Sequence, residues 1–174
     1  AARGLLGTTL PPFLGIRIKP LSEELRERSF RTTDVFLTAL STASEGKLPA
    51  NFVVTLPKGT LPEQVAALAD LLDALEPKLG LPSGAVKLEI MIETTQSIVG
   101  PDGALPIRRM VDAARGRCTG AHFGTYDYTA ACNVTAGEQR MGHPACDFAK
   151  HVMQVALAGT GVLISAGATN VMPI

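Results

Sequence analysis

The sequence predicts a parallel α/β fold, either an open doubly wound sheet or part of a (β/α)8 barrel. Three observations carry that prediction. Strand-like and helix-like segments alternate strictly from residue 13 onward. No GxGxxG or GxxxxGK(S/T) follows any of the strands, so nucleotide-binding open sheets lose support. The 174 residues are 46% hydrophobic and 18% charged, which suits one domain with a sizeable core.

The segments come in order. FLGIRIK (13–19) alternates apolar and polar residues and reads as a strand. After the charged stretch SEELRERSFR, a helix is expected over 32–46, capped by Thr32 or Thr33 and closed by Gly46. NFVVTLPK (51–58) is a second strand, ended by Pro57. Residues 61–80 form the clearest helix: Val65, Leu68, Leu71, Leu72 and Leu75 share a face, Pro62 lies in the first turn and Gly80 closes it. VKLEIMIET (86–94) is the third strand. LPIRRMVDAARG (105–116) is a helix with Ile107, Met110, Val111 and Ala114 inward. TGAHFGTYDY (119–128) reads as a strand running into a loop. Residues 143–161 form a helix with Phe148, Val152, Val155 and Ala156 on one stripe, and VLISAGATNV (162–171) is a final strand.

Formal net charge is zero, so no basic face for nucleic acid or anionic membrane is indicated. No apolar run of about 18 residues marks a transmembrane helix. The start lacks the apolar core of a signal peptide. Cys118, Cys132 and Cys146 are odd in number and without CxxC spacing, which reads as reduced thiols in a cytoplasmic protein. The chain lacks an initiator Met and stops straight after a strand-like run. The expectation is a single domain over 1–174, cut from a longer protein.

In parallel α/β folds function sits at the C-terminal strand ends. Gly15, Arg17 and Lys19 share one face of the first strand, and Lys87, Glu89, Met91 and Glu93 one face of the third. The opposite faces are aliphatic and belong against the helices, so the polar faces point to the barrel axis. Arg17, Lys58, Glu93 and Asp127 then ring one mouth. Two carboxylates from separate strands suit a hard cation such as Mg²⁺, and an Arg suits a substrate carboxylate. The alternative is a buried ion-pair network, which is the reading for Glu89 with Lys87 or Lys19. His122, His143 and His151 read as structural, with His122 the best candidate for function because its strand delivers Asp127. Tyr126 and Tyr128 flank Asp127, and Thr95, Thr169 and Asn170 also fall near the mouth.

Four ordered pieces, GIRIKP, VVTLPKG, IMIETTQSI and FGTYDYTA, make the chain resemble the HpcH/HpaI aldolase and citrate lyase beta-subunit family of phosphoenolpyruvate/pyruvate-binding TIM barrels. The resemblance covers roughly residues 13 to 135 and implies a partial TIM barrel of about five β/α units. It implies that Glu93 and Asp127 ligate Mg²⁺ or Mn²⁺. Arg17 would be catalytic, holding an enolate oxygen or the substrate carboxylate. Lys58, Thr94, Gly124 and Thr125 would bind substrate, the last two through backbone amides. The activity implied is a metal-dependent carbon–carbon lyase or aldolase on a 2-oxo acid or a CoA thioester, in a homo-oligomer. A phosphoenolpyruvate-using phosphotransferase and a non-catalytic binding barrel are the alternatives. The stretch TAACNVTAGEQRMGHP departs from the usual family loop.

Overall fold

The computed structural model describes residues 10–167. Five strands lie side by side in chain order, every neighbouring pair parallel: β1 (Leu14–Arg17), β2 (Phe52–Leu56), β3 (Lys87–Ile92), β4 (Cys118–Phe123) and β5 (Leu163–Ser165). Between them run α1 (Arg26–Ala43), α2 (Pro62–Leu75), the four-residue α3 (Thr95–Ile98), α4 (Pro106–Ala113), α5 (Thr125–Ala131) and α6 (Pro144–Leu157). The predicted alternation and the parallel sheet are therefore present.

The aliphatic strand faces do turn to the helices. Val54, Leu56, Leu88, Ile90, Ile92, Ala121 and Phe123 are essentially sealed against Leu37, Val65, Leu68, Leu72, Ile107, Met110 and Met153. Full burial of each large aliphatic side chain contributes about 1.5–3 kcal/mol. Tyr128 packs edge-on to Phe123, with ring centroids 5.3 Å apart, so this member of the tyrosine pair has a packing role.

A bulge between β3 and β4 sets which side chains face the axis. Leu88 pairs with Cys118, but Glu89 pairs with Gly120, so Thr119 is the extra residue. The shift turns Ala121 and Phe123 into the core and leaves Gly120, His122 and Gly124 on the inner face.

Three local expectations need correcting. The first helix starts at Arg26, so Thr32 and Thr33 are interior residues and not caps. Their hydroxyls donate to the carbonyls of Arg28 and Ser29, four residues back, and the charged stretch before them is simply good helix former. Residues 125–131 are helical, so Asp127 rides on α5 and not on a loop. On α6 the buried stripe is Cys146, Ala149, Met153 and Leu157, while Phe148 and Val155 are exposed. Of the predicted last strand, the described residues form Leu163–Ser165; Thr169 and Asn170 lie outside the described residues.

The N-terminal end of the sheet is closed by a buried ion pair. Arg117 forks onto Glu76, with Nη1 2.7 Å from Oε1 and Nη2 2.8 Å from Oε2, and both residues are nearly inaccessible. Glu76 also accepts from the backbone N–H groups of Gly84 and Val86. Burial alone pushes the Glu76 carboxyl up, but the Arg117 fork and the two amides outweigh it and hold it below the ordinary range.

A carboxylate lowered in this way stabilises the fold above its unfolded pKa, and that contribution is lost as pH falls through the lowered folded pKa. Arg117→Met strands a buried charge and is expected to cost about 3–5 kcal/mol in denaturant unfolding, while Glu76→Gln/Arg117→Met together recover part of the loss. An Arg117→Met variant of wild-type stability would refute this account of the pair.

Candidate functional site

Glu93 follows the last residue of β3 on the axis side and is 4% exposed. It fits only because residue 124 is glycine. A Cβ at Gly124 would stand 2.6 Å from Glu93 Cβ and 2.7 Å from its Oε2. The sheet therefore has a slot on β4 into which the carboxylate leans.

Three groups meet Glu93. The backbone N–H of Lys58 donates to Oε1 at 2.8 Å. The Asp127 carboxyl is in hydrogen-bonding contact with it. Lys58 sends its own ammonium to Asp127, Nζ to Oδ2 at 2.7 Å. Lys58 can present both groups because its backbone is left-handed, with φ of +52°. That conformation costs a non-glycine residue about 1–3 kcal/mol, and its occurrence here marks a constrained position.

The Glu93 carboxyl titrates above its ordinary range. Burial is the main cause; the charge of Asp127 and the carboxyl–carboxyl contact add to it, while the Lys58 amide and ammonium oppose it. Two ionised carboxylates in contact repel each other, and a proton or a cation between them relieves that repulsion. Among the described residues no set of three or more His, Cys, Asp and Glu side chains is gathered for a metal. The donor set is thus two carboxylates from different elements, which fits a hard divalent cation that takes one or two protein carboxylates and fills its other positions with water and substrate oxygens. Glu93 and Asp127 are the residues that could hold it.

The remaining predicted residues are placed as follows. Arg17 is exposed on the inner face of β1, and its Nη1 lies 3.8 Å from the sulfur of Met91 on β3, two residues before Glu93. Thr94 is next to Glu93, but its hydroxyl caps α3, accepting from Ser97 N. Thr125 is buried with its hydroxyl toward the Met141 sulfur at 3.4 Å, so only its backbone is available. The Gly124 amide, expected to meet a substrate carboxylate, instead donates to Ile92 O at 3.0 Å as the last rung of the β3–β4 ladder. Gly124 serves the site by its missing side chain. Glu89 accepts from Thr55 Oγ1 at 2.8 Å in place of the expected lysine pair.

Sequence reasoning missed the Thr119 bulge, the Gly124 slot and a contact between His122 Nδ1 and Ser165 Oγ of 2.7 Å. The spacing Gly120–His122–Gly124 carried the first two. Alternate glycines on a strand mark close approach by a neighbour.

Known proteins give the following comparison. The family model described as "Domain of unknown function (DUF6986)" matches residues 1–174. No curated protein matches the sequence. Among solved structures, a malate synthase of Haloferax volcanii in a pyruvate/acetyl-CoA ternary complex aligns with a TM-score of 0.70 at 17% identity, over 93% of this chain and 42% of that one. A citrate lyase from Burkholderia xenovorans gives 0.66 at 18% identity, over 91% and 45%. An HpcH/HpaI aldolase/citrate lyase family protein from Burkholderia cenocepacia gives 0.54 at 14%, over 90% and 80%. The chain is α/β and folds like part of the TIM barrels of these structures, as the resemblance implied for the fold. It spans less than half the length of the first two structures. Among the described residues no helix is long and apolar enough to cross a membrane.

A carboxyl raised above its unfolded pKa stabilises the fold below that unfolded value, and the contribution is lost as pH rises through the raised folded pKa. In metal-free protein Glu93→Gln keeps the acceptor for Lys58 N and removes the charge. Its melting temperature is therefore expected to equal wild type in acid, and to exceed it by a gap that opens as pH rises from the ordinary carboxylate range and levels off above the raised pKa. A gap that narrows with rising pH would contradict the arrangement. Gly124→Ala drives a methyl into Glu93 and is expected to cost about 1–3 kcal/mol.

Proposed function

Since the chain belongs to the family described as Domain of unknown function (DUF6986), whose description assigns no reaction, we propose from its site that it is the catalytic part of a divalent-metal-dependent carbon–carbon lyase or aldolase. Its substrate is a 2-oxo acid or a CoA thioester cleaved through an enolate. The observation that carries this reading is the Glu93–Asp127 carboxyl pair, buried at one member and short of positive charge, at the C-terminal end of parallel strands. Lyase-type chemistry is consistent with the citrate lyase and aldolase names among the structures of like fold.

Glu93 and Asp127 hold the cation. When bound, it supplies Lewis-acid stabilisation to negative charge on an enolate oxygen. Glu93 would bind it as a carboxylate, and the Lys58 amide on Oε1 keeps that carboxylate aimed. The Lys58 ammonium, now on Asp127, is released to a substrate oxygen or remains as the partner that positions Asp127. No Schiff base is required of it. Arg17 offers a two-pronged donor to the substrate carboxylate from the neighbouring strands, and the amide of Thr125 at the start of α5 supports the same group. Thr94 orders the loop after Glu93 through its cap. The reading takes the chain as a segment of a longer barrel whose remaining strands complete the wall around this mouth.

The test is calorimetric titration of Mn²⁺ into the full-length protein that carries this chain, with and without pyruvate or oxaloacetate. Glu93→Gln and Asp127→Asn are each expected to weaken Mn²⁺ by more than about a hundredfold, the upper end of what losing a mere supporting residue costs. Arg17→Lys is expected to leave Mn²⁺ binding intact and to abolish the strengthening by the oxo acid. Equal Mn²⁺ affinity in all variants would return both carboxylates to a structural ion network and overturn the proposal.

A further inference from the structure

On the inner face of β4, past the Thr119 bulge, the axis-facing positions are Gly120, His122 and Gly124, and His122 is the one of the three with a side chain. The two glycines are occupied by their neighbours from β3: Glu89 Oε1 lies 3.2 Å from where a Cβ of residue 120 would be, and Glu93 Oε2 lies against residue 124. His122 stands between them along the strand. Directly opposite on β3 is Met91, whose sulfur carries the Arg17 guanidinium. Directly opposite on β5 is Ser165, whose hydroxyl is 2.7 Å from Nδ1. The inner face below opens on a cavity of about 750 Å³ to which Glu89, Gly120 and Ser165 contribute. His122 is half-buried and at home in neither the apolar core nor the ion pair at the other end of the sheet.

This is more than a histidine filling space. The bulge at Thr119 is what places it on the axis side, one step along the strand below the Glu93 slot. The Ser165 contact fixes the ring and occupies Nδ1, which leaves Nε2 for a second partner. The charged groups around it are Arg17 across Met91, Glu89 one step below, and Glu93 with Asp127 and Lys58 one step above. No other imidazole faces this side among the described residues: His143 caps α6 through Ala145 N, and His151 is on the exposed side of α6.

Resting on the lyase reading above, we propose that His122 is the proton-transfer residue of the site and that Ser165 positions it. In the cleavage direction Nε2 takes the proton of the substrate hydroxyl. The carbon–carbon bond breaks, the hydroxyl carbon leaves as a carbonyl, and the bonding pair becomes the enolate. The imidazolium then returns the proton to the enolate carbon, so protons and electrons balance with no further reagent. The same step can be read without the second product. Taking a methyl proton from pyruvate and returning a deuteron exchanges that position in D₂O.

The experiment follows methyl exchange of pyruvate in D₂O with Mg²⁺ by proton NMR, on the full-length protein. Mn²⁺ titration and thermal melting are run on the same samples. His122→Gln is expected to keep folding and Mn²⁺ affinity and to lose exchange by about a hundredfold or more, the usual contribution of a general acid–base group. The pH profile of the remaining exchange loses the limb that wild type shows. Ser165→Ala is expected to slow exchange less, by about tenfold, and to displace that limb, as a positioning role requires. Exchange at the wild-type rate in a folded, Mn²⁺-binding His122→Gln variant overturns the assignment and leaves the lyase reading standing. Absence of both Mn²⁺ binding and exchange in wild type overturns the lyase reading and this inference with it. Should His122→Gln fail to fold, an unchanged rate and pH profile in Ser165→Ala would overturn the assignment.

Discussion

The site depends on one crowded contact, the Glu93 side chain lying in the space that a side chain at position 124 would fill. That contact is possible because the strands are parallel and in register at their C-terminal ends, and because a single extra residue at Thr119 brings glycines, not Ala121 or Phe123, to face the neighbouring strand. The aliphatic residues displaced to the other face seal the core under the helices. Packing and site geometry are thus set by the same register choice. A strand slipped by one residue would put Phe123 where the carboxylate lies and glycine where the core needs bulk.

Two buried glutamates show what environment does to one side chain. Glu76 and Glu93 are 1% and 4% exposed, yet one titrates below the ordinary range and the other above it. For both, burial is the largest influence and pushes the carboxyl up. Glu76 has a bidentate Arg117 and two backbone amides, which more than offset it. Glu93 has one amide and a second carboxyl, with the Lys58 ammonium drawn to Asp127. The closed end of the sheet therefore has its charge satisfied within the fold. The open end is left with a negative pair that a cation can complete, and perturbed carboxyls of this kind gather at functional sites.

Much of this was legible in sequence. The period-two alternation in 13–19 and 86–94 gave the strand faces, and the strand-end rule pointed to Arg17, Lys58, Glu93 and Asp127, of which Lys58, Glu93 and Asp127 are in contact. What was not legible depends on contacts far apart in the chain or on the phase of a helix. Arg117 and Glu76 are separated by 41 residues, and neither sits in a pattern that announces the other. On α6 hydrophobicity favours Phe148 and Val155, but the phase of the helix buries Cys146, Ala149, Met153 and Leu157 and leaves those two exposed. Threonines near a helix start resembled caps, but the charged residues before them were already helical. The Gly124 amide was expected to bind an anion, and the sheet ladder had a prior claim on it.

The most direct measurement is anomalous scattering from a crystal of the full-length protein grown with Mn²⁺. The account predicts a manganese peak within about 2.0–2.3 Å of a carboxylate oxygen of both Glu93 and Asp127, with the Lys58 ammonium moved off Asp127, as hard-cation coordination requires. Lys58 still paired with Asp127, and manganese absent from between the two carboxylates, would contradict it.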